Sequence, residues 1–167
     1  MKIINNIIIS EEQVYHIMYQ LFSAIKFVHE KNYIHHDIKP ENIFFLNKKL
    51  HAVIADFELA QRRQVLKNDK IMGSVPYLPP EVLTKQETND GKKIDCWALG
   101  IIMYMLLYNT YPFYQKSNSS EKWWNITKIK NADFSFEENL RSKSSEDLIK
   151  HLLCKDPKKK DFLSKKH

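Results

Sequence analysis

The sequence predicts a mainly helical fold with a few short β-strands, and three observations support this fold class. Apolar residues recur at helical spacing over residues 11–31, and an almost wholly apolar run occupies residues 96–108. Between these segments lie only short apolar runs broken by turns. With 167 residues, 43% of them hydrophobic and 28% charged, the chain can build one sizeable core, so we expect a single domain over residues 1–167.

The first helix is predicted by a capping box followed by an apolar stripe. Ser10 precedes Gln13 by three residues, a spacing that pairs the free N–H groups at a helix start. The stripe behind this pair has the period of an amphipathic helix and comprises Val14, Ile17, Met18, Leu21, Ile25 and Val28. We therefore expect one helix over residues 11–31.

Short strands flanking loops are expected after this helix. Residues 33–34, 43–46 and 51–55 are short apolar runs, and a polar turn at residues 47–49 separates the last two. Residues 58–72 are polar and basic without a period, which predicts a long surface loop.

Four more helices are predicted in the second half of the chain. A short one starts at residues 79–81, and a central buried helix begins at Asp95 and contains the apolar run. A third covers residues 120–130, and a fourth runs from Ser144 to Cys154.

Net charge and cysteine usage indicate which classes of partner and which cellular compartment to expect. The formal net charge is +6, and seven lysines lie between Lys150 and Lys166. The simplest interpretation is a solvated basic surface, and the alternative is a surface that binds an acidic partner. We expect neither nucleic acid nor a membrane as partner, because no base-stacking motif occurs and the apolar run is too short to span a bilayer. Cys96 and Cys154 lack metal-ligand spacing, and no signal peptide occurs, so we expect buried, reduced thiols in an intracellular protein, in cytoplasm or nucleus.

Short motifs that carry chemistry follow one another along the chain. They are HHDIKPEN at residues 35–42, DFE at 56–58, GS at 73–74, PPE at 79–81 and DCWALG at 95–100. In order, interval and predicted position, they resemble the HRDxKxxN, DFG, APE and DxWxxG motifs of the eukaryotic protein kinase family. The resemblance covers about residues 10–160, nearly the whole chain.

The resemblance implies the helical C-terminal lobe of a serine/threonine kinase. Lysine two residues after the aspartate, as in Asp37 and Lys39, is the serine/threonine form of the motif, and residues 106–113 look similar to calcium/calmodulin-dependent kinases. The implied reaction is transfer of the ATP γ-phosphoryl group to a serine or threonine hydroxyl of a protein substrate, with ATP and Mg²⁺ as cofactors. In that group Glu41 often meets a basic residue of the substrate.

The catalytic residues implied by the resemblance are Asp37, Lys39 and Ser74. Asp37 would orient the substrate hydroxyl and accept its proton. Lys39, which also belongs to the nucleotide site, would place positive charge where negative charge develops during transfer. Ser74 would contact both of them.

The nucleotide side of the implied site comprises Asn42, Asp56 and Phe44. Asn42 and Asp56 would hold Mg²⁺ through hard oxygen ligands, and Phe44 would lie beneath the adenine ring. His35 and Asp95 are expected to be structural: the histidine packs on Phe57, and the aspartate is a buried acceptor of backbone N–H groups.

The resemblance is incomplete on the N-terminal side. The small lobe of the family supplies a Gly-rich phosphate loop, a strand lysine and a helix glutamate. This sequence has three glycines, Gly73, Gly91 and Gly100, and nine residues before Ser10. We therefore expect the N-terminal lobe to be absent from the sequence, so that the chain holds half of a nucleotide site.

Three further positions depart from the family pattern. His36 replaces the motif arginine that grips a phosphate, and residues 57–72 contain no Ser, Thr or Tyr, so we expect no phosphorylation switch on that loop. Glu58 replaces the glycine of the DFG motif. Its side chain either restricts the conformations open to Phe57 or points to solvent, and we favour the second interpretation. Lysines at 158–160 stand where an arginine would pair with Glu81.

The sequence leaves more than one function open. A serine/threonine kinase that works once a small lobe is supplied is favoured, because Asp37, Lys39, Asn42 and Asp56 occur together. The alternative is a non-catalytic, pseudokinase-like module that docks substrates or another kinase, since apolar surface around Phe44 would be exposed. A gene product without function is a third, weaker possibility.

Overall fold

The computed structural model describes residues 9–46, 50–62, 72–86, 90–115, 124–138 and 140–157, and within them the chain is mainly helical. The helices are α1 Glu11–Glu30, α2 Pro80–Leu83, α3 Lys92–Tyr108, α4 Ile126–Asn131 and α5 Lys143–Leu152. The strands are β1 Tyr33–Ile34, β2 Ile43–Phe45, β3 Ala52–Ile54 and β4 Gln61–Arg62. Single 3₁₀ turns occupy Pro40–Asn42 and Val75–Tyr77. The mainly helical prediction is confirmed.

Helix α1 forms as the sequence predicts. The Ser10 hydroxyl accepts the Gln13 N–H (3.2 Å), and the Gln13 side chain accepts the Ser10 N–H (2.8 Å), which completes the capping box. Five of the six stripe residues are buried, whereas Val28 is half-buried and its neighbour His29 is buried. The reason is that His29 has a partner inside the protein, described below.

The strands pair in two small antiparallel sheets. Strand β2 pairs with β3, with Phe44 opposite Val53, as the apolar runs predict. Strand β1 pairs with β4, with Tyr33 opposite Arg62. The long surface loop expected over residues 58–72 is therefore wrong at its start, because residues 61–62 complete a sheet; residues 63–71 lie outside the described part.

Helix α3 is the centre of the core and is buried on nearly all sides. It packs against α1 and α5, and its Trp97 stacks on Phe113 with ring centroids 5.5 Å apart. The helix begins at Lys92 rather than at Asp95. Asp90 accepts the Lys92 N–H at 3.3 Å, which lets the chain enter the helix earlier and leaves the Asp95 carboxylate for other partners.

The last two helices depart slightly from the predicted bounds. Helix α4 begins after its cap residue Asn125, later than the predicted 120–130, and residues 120–123 lie outside the described part. Helix α5 is capped by Ser142, whose hydroxyl accepts the Ser145 N–H, so the helix begins one residue before the predicted Ser144 and ends at Leu152 rather than at Cys154.

Helices α1 and α5 are joined through the Glu11 carboxylate. It accepts hydrogen bonds from the hydroxyls of Tyr15, Ser142 and Ser145. These bonds lower the pKa of Glu11 to about 2, with the Ser142 hydroxyl contributing most.

Two further expectations concern the burial of the cysteines and the absence of a membrane-spanning helix. Cys96 is buried and Cys154 half-buried, and neither forms a disulfide, so burial is complete at only one of them. Among the described residues, no helix combines the length and apolar character needed to cross a membrane.

Candidate functional site: an aspartate-centred cluster

The HHDIKPEN segment is fixed by the buried carboxylate of Asp95. Its two oxygens accept the backbone N–H groups of His35 and His36, each at 3.0 Å. One oxygen also meets Nε2 of His29 at 2.7 Å. Asp95 is 1% exposed, so these bonds form away from water and hold the segment against α3. The structural role expected for Asp95 is observed.

The structure brings Asp37, Lys39, Asn42 and Ser74 together. The Lys39 ammonium lies 2.5 Å from Asp37 Oδ2 and 3.1 Å from the Ser74 hydroxyl. Ser74 donates its backbone N–H (3.1 Å) and its hydroxyl (2.8 Å) to Asp37 Oδ1. Asn42 Nδ2 donates to the Asp37 carbonyl at 2.9 Å and lies 3.3 Å from Oδ2. Residues up to 37 positions apart in sequence thus meet at one carboxylate.

The charge state of Asp37 follows from these contacts. Burial by itself raises the pKa of this carboxyl, which is 8% exposed. The hydrogen bonds from Lys39 and Ser74 and the Lys39 charge outweigh burial, and the pKa of Asp37 is lowered. Asp37 is therefore an ionised acceptor near neutral pH.

Gly73 is required for Ser74 to reach the cluster. Its φ is +93°, in the region that favours glycine, and a Cβ at this position would meet the His36 carbonyl oxygen at 2.4 Å. His36 and Asp56 also have positive φ, at 69° and 65°. Such values cost free energy for side-chain-bearing residues and are typical of constrained sites.

Asp56 and Phe44 flank the cluster on a more open side. Ala55 donates its N–H to the Asn42 carbonyl at 2.9 Å, which places Asp56 directly after a residue bonded to the cluster. The Asp56 carboxylate is exposed and accepts the Glu58 N–H at 3.4 Å. Phe44 on β2 is 51% exposed.

The donor set fits Mg²⁺. Asn42 Nδ2 donates to Asp37, so the side-chain carbonyl oxygen is the Asn42 atom that would ligate a cation, and Asp56 adds a carboxylate. Both are hard oxygen ligands, and Mg²⁺ commonly takes one or two protein ligands with phosphate and water oxygens completing its shell. Within the described ranges, no group of three His, Cys, Asp or Glu side chains is placed to hold a metal ion.

Phe57 and an apolar cavity complete the open side. The Phe57 ring lies 4.7 Å from the His35 ring, the contact that the resemblance implies, yet Phe57 is 49% exposed. Beside it lies a cavity of about 500 Å³, whose lining includes Phe27, Val28, Tyr33, Ile54, Phe57 and Ala60. Apolar surface is thus concentrated here.

The departures from the family motifs take these forms. His36 is 4% exposed, and burial lowers the pKa of its imidazole, with Asp95 opposing and His35 adding to the effect. A buried imidazole with a lowered pKa is neutral near pH 7 and a poor ligand for phosphate. Glu58 is exposed, as favoured, and its φ is not positive. Glu81 is buried, while lysines 158–160 lie outside the described residues.

Two residues near the site were missed by sequence reasoning. His29 bonds to Asp95 from the apolar face of α1, and a histidine on such a face was its only signal. Tyr111 donates its hydroxyl to the Pro76 carbonyl, beside Ser74. No motif marks Tyr111, because its partner is a backbone atom 35 positions away.

Comparison with known protein families and proteins supports the motif assignment. The model for the protein kinase domain matches residues 1–161. Calcium-dependent protein kinase 5 of Plasmodium berghei is 35% identical over 156 residues, which are 92% of this chain and 26% of that protein. The calcium and calcium/calmodulin-dependent serine/threonine-protein kinase of Lilium longiflorum is 35% identical, over 90% of this chain and 29% of the relative.

A third relative gives the same result. Calcium/calmodulin-dependent protein kinase type 1 of Caenorhabditis briggsae is 31% identical, over 89% of this chain and 41% of the relative. The chain thus spans about a quarter to two fifths of the length of these relatives. From the family model and the ordered motifs together, the chain belongs to the protein kinase family, and it is similar to serine/threonine kinases of the calcium-dependent group.

Proposed function

We propose that this chain carries the phosphoryl-transfer half of a serine/threonine protein kinase site. The observation that supports the proposal most is the Asp37 carboxylate, held by Lys39 and Ser74 and adjacent to Asn42. Phosphoryl transfer needs an oriented hydroxyl and neutralised phosphate charge more than covalent help. The cluster offers an ionised acceptor for the hydroxyl proton and a cation beside it.

Each residue has a role that its contacts support. Asp37 accepts a hydrogen bond from the substrate serine or threonine hydroxyl, and takes its proton at a carboxylate oxygen. Lys39, already within 3.1 Å of Asp37 and Ser74, supplies positive charge where charge develops. Asn42 and Asp56 would hold Mg²⁺, which neutralises phosphate charge when bound. Phe44 offers an exposed ring face to the adenine of ATP.

The test is phosphotransfer by the protein purified from its source organism through a tag at its C-terminus. We expect transfer from ATP to serine or threonine of a basic peptide mixture. Asp37→Asn should lower the rate by at least about 100-fold, since a positioned base contributes that much. Asp147→Asn, at an exposed position on α5 whose carboxylate lies 3.6 Å from Lys150, is the matched control and should retain the rate.

A second candidate function, a binding module without catalysis, is favoured by the open side. Phe44 and Phe57 are each about half exposed, and the apolar cavity lies beside Phe57. Apolar surface of this kind marks interaction sites. This candidate predicts no phosphotransfer and only weak binding of Mg-ATP by the purified protein. A wild-type rate no higher than that of Asp37→Asn would favour it over the kinase.

A further inference from the structure

The segment that presents Ser74 to Asp37 is held from two sides. On the Asp37 side, Gly73 packs against the His36 carbonyl, and Ser74 donates twice to Asp37. On the far side, the Tyr111 hydroxyl donates to the Pro76 carbonyl. The 3₁₀ turn Val75–Tyr77 lies between the two attachments.

Tyr111 is itself rigidly placed. It is 4% exposed, and its ring makes edge contacts with Phe113 at 5.9 Å and Tyr77 at 6.4 Å. Phe113 stacks on Trp97 of α3, with the ring planes 1° apart. A path of packed rings therefore leads from the core to the Pro76 carbonyl. Burial, reinforced by Tyr77, raises the pKa of the Tyr111 hydroxyl, which keeps it a donor.

The Pro76 carbonyl lies only two residues along the chain from Ser74. Ser74 begins the turn, and its own carbonyl accepts the Tyr77 N–H at 2.9 Å. A shift of Pro76 therefore moves the turn that orients Ser74. We propose that Tyr111 is a positioning residue for the site, holding the Val75–Tyr77 turn so that the Ser74 hydroxyl stays on Asp37 and Lys39. Its effect on catalysis rests on the proposed kinase function, whereas its effect on Ser74 does not.

The chain offers a closely matched control. Tyr104, in α3, is 6% exposed and donates its hydroxyl to the Ser135 carbonyl at 2.8 Å, across 31 positions. Tyr111→Phe and Tyr104→Phe thus each remove one buried hydroxyl from one backbone carbonyl, leaving the ring in place. Of the two hydroxyls, only that of Tyr111 donates to a residue of the turn beside Ser74.

The decisive measurement is amide hydrogen exchange in the 167-residue chain, resolved by NMR and corrected for global stability. We expect the Ser74 and Tyr77 amides to exchange about tenfold faster in Tyr111→Phe, as for loss of one net hydrogen bond. Tyr104→Phe should leave both unchanged. Equal exchange in Tyr111→Phe and the wild type, or the same acceleration in both variants, would overturn the proposal.

A check on the wild type needs no variant and decides the matter if Tyr111→Phe does not fold. The Tyr111 hydroxyl proton should exchange slowly enough to be seen by NMR and show a nuclear Overhauser contact to Pro76. A rapidly exchanging hydroxyl would contradict the proposal.

Kinetics of the tagged protein extend the test to catalysis. Tyr111→Phe should lower kcat about tenfold with the KM for ATP unchanged, and should add nothing to Ser74→Ala, because both act through one contact. Additive losses would overturn the link to Ser74. If the wild type transfers no phosphate, the kinase proposal fails, while the exchange measurement still decides the role of Tyr111.

Discussion

The two ends of the site differ in how firmly the chain holds them. At the Asp37 end, three side chains contact one carboxylate, and the backbone behind it is bonded to buried Asp95. At the Asp56 end, the carboxylate is exposed and, among the described residues, meets one backbone N–H at 3.4 Å, while Phe44 and Phe57 are half exposed. One end is organised before any ligand binds, and the other is open.

This difference corresponds to two parts of the proposed reaction, namely orienting the hydroxyl and binding the nucleotide. Orienting a hydroxyl and placing charge beside it depend on fixed geometry, because reorganisation during the reaction costs rate. That geometry is supplied by contacts within this chain. Nucleotide binding depends on surfaces that enclose the ligand, and the exposed rings at the Asp56 end lack such a cover among the described residues.

The largest expected effect comes from removing the support of the held end. Asp95→Ala leaves the N–H groups of His35 and His36 buried and unpaired, so we expect a loss of about 3–5 kcal/mol in the free energy of unfolding, measured with urea. Asp56→Asn, at the open end, keeps a residue type that tolerates the positive φ there and should change stability by less than about 0.5 kcal/mol. Comparable losses in the two variants would break the comparison.

Gly73→Ala should have the next largest effect. The new methyl would meet the His36 carbonyl, and the backbone has a φ of +93°, so we expect a loss of about 1–3 kcal/mol. Gly91→Ala is the control, because its methyl would meet the flexible end of the Ile34 side chain. If urea unfolding ranks Gly91→Ala as the worse variant, the close approach of Gly73 to His36 is not a constraint.

The Glu11 contact provides a smaller, pH-dependent effect away from both ends. Its pKa is lowered from 4.5 to about 2 in the folded chain, so the carboxylate stabilises the fold above pH 4.5 and loses this effect as pH falls through about 2. Wild type should exceed Glu11→Gln in stability at pH 6 by about 1 kcal/mol or less, given its partial exposure. The gap should narrow at pH 3, whereas Glu12→Gln should match wild type at both. A gap that widens in acid would contradict the assignment.

The smallest effect on stability is expected at Phe44. Its ring is half exposed, so Phe44→Leu, which keeps most of the buried apolar area, should change the free energy of unfolding by about 0.5 kcal/mol or less. Binding of Mg-ATP by the tagged protein, measured by calorimetry, should weaken by about 1 kcal/mol through loss of the ring face. Weakened folding with unchanged binding would show that Phe44 serves the sheet rather than the nucleotide.

Sequence reasoning succeeded where a pattern is local. The capping box at Ser10 and the short strand runs depend on residues a few positions apart, and they form as expected. The ordered motifs also marked residues that meet at Asp37, because the fold that brings these residues together requires the motifs to follow one another at set intervals.

The remaining features depend on contacts between distant segments. Helix α3 begins before Asp95, where Asp90 accepts the Lys92 N–H, and the Asp95 carboxylate is instead engaged by residues 59 and 60 positions away. Strand β4 forms only because β1 offers an edge to a polar segment. Tyr111 and His29 act through a backbone carbonyl and a buried carboxylate, and neither leaves a periodic or motif signal.

The most direct test of the difference between the two ends is amide hydrogen exchange in the wild-type chain without ligand. The N–H groups of His35, His36 and Glu58 each donate to an aspartate carboxylate, the first two buried and the third exposed. We predict that His35 and His36 exchange at least about 100-fold more slowly than Glu58, near the rate set by global unfolding. Similar protection at all three would contradict a held Asp37 end beside an open Asp56 end.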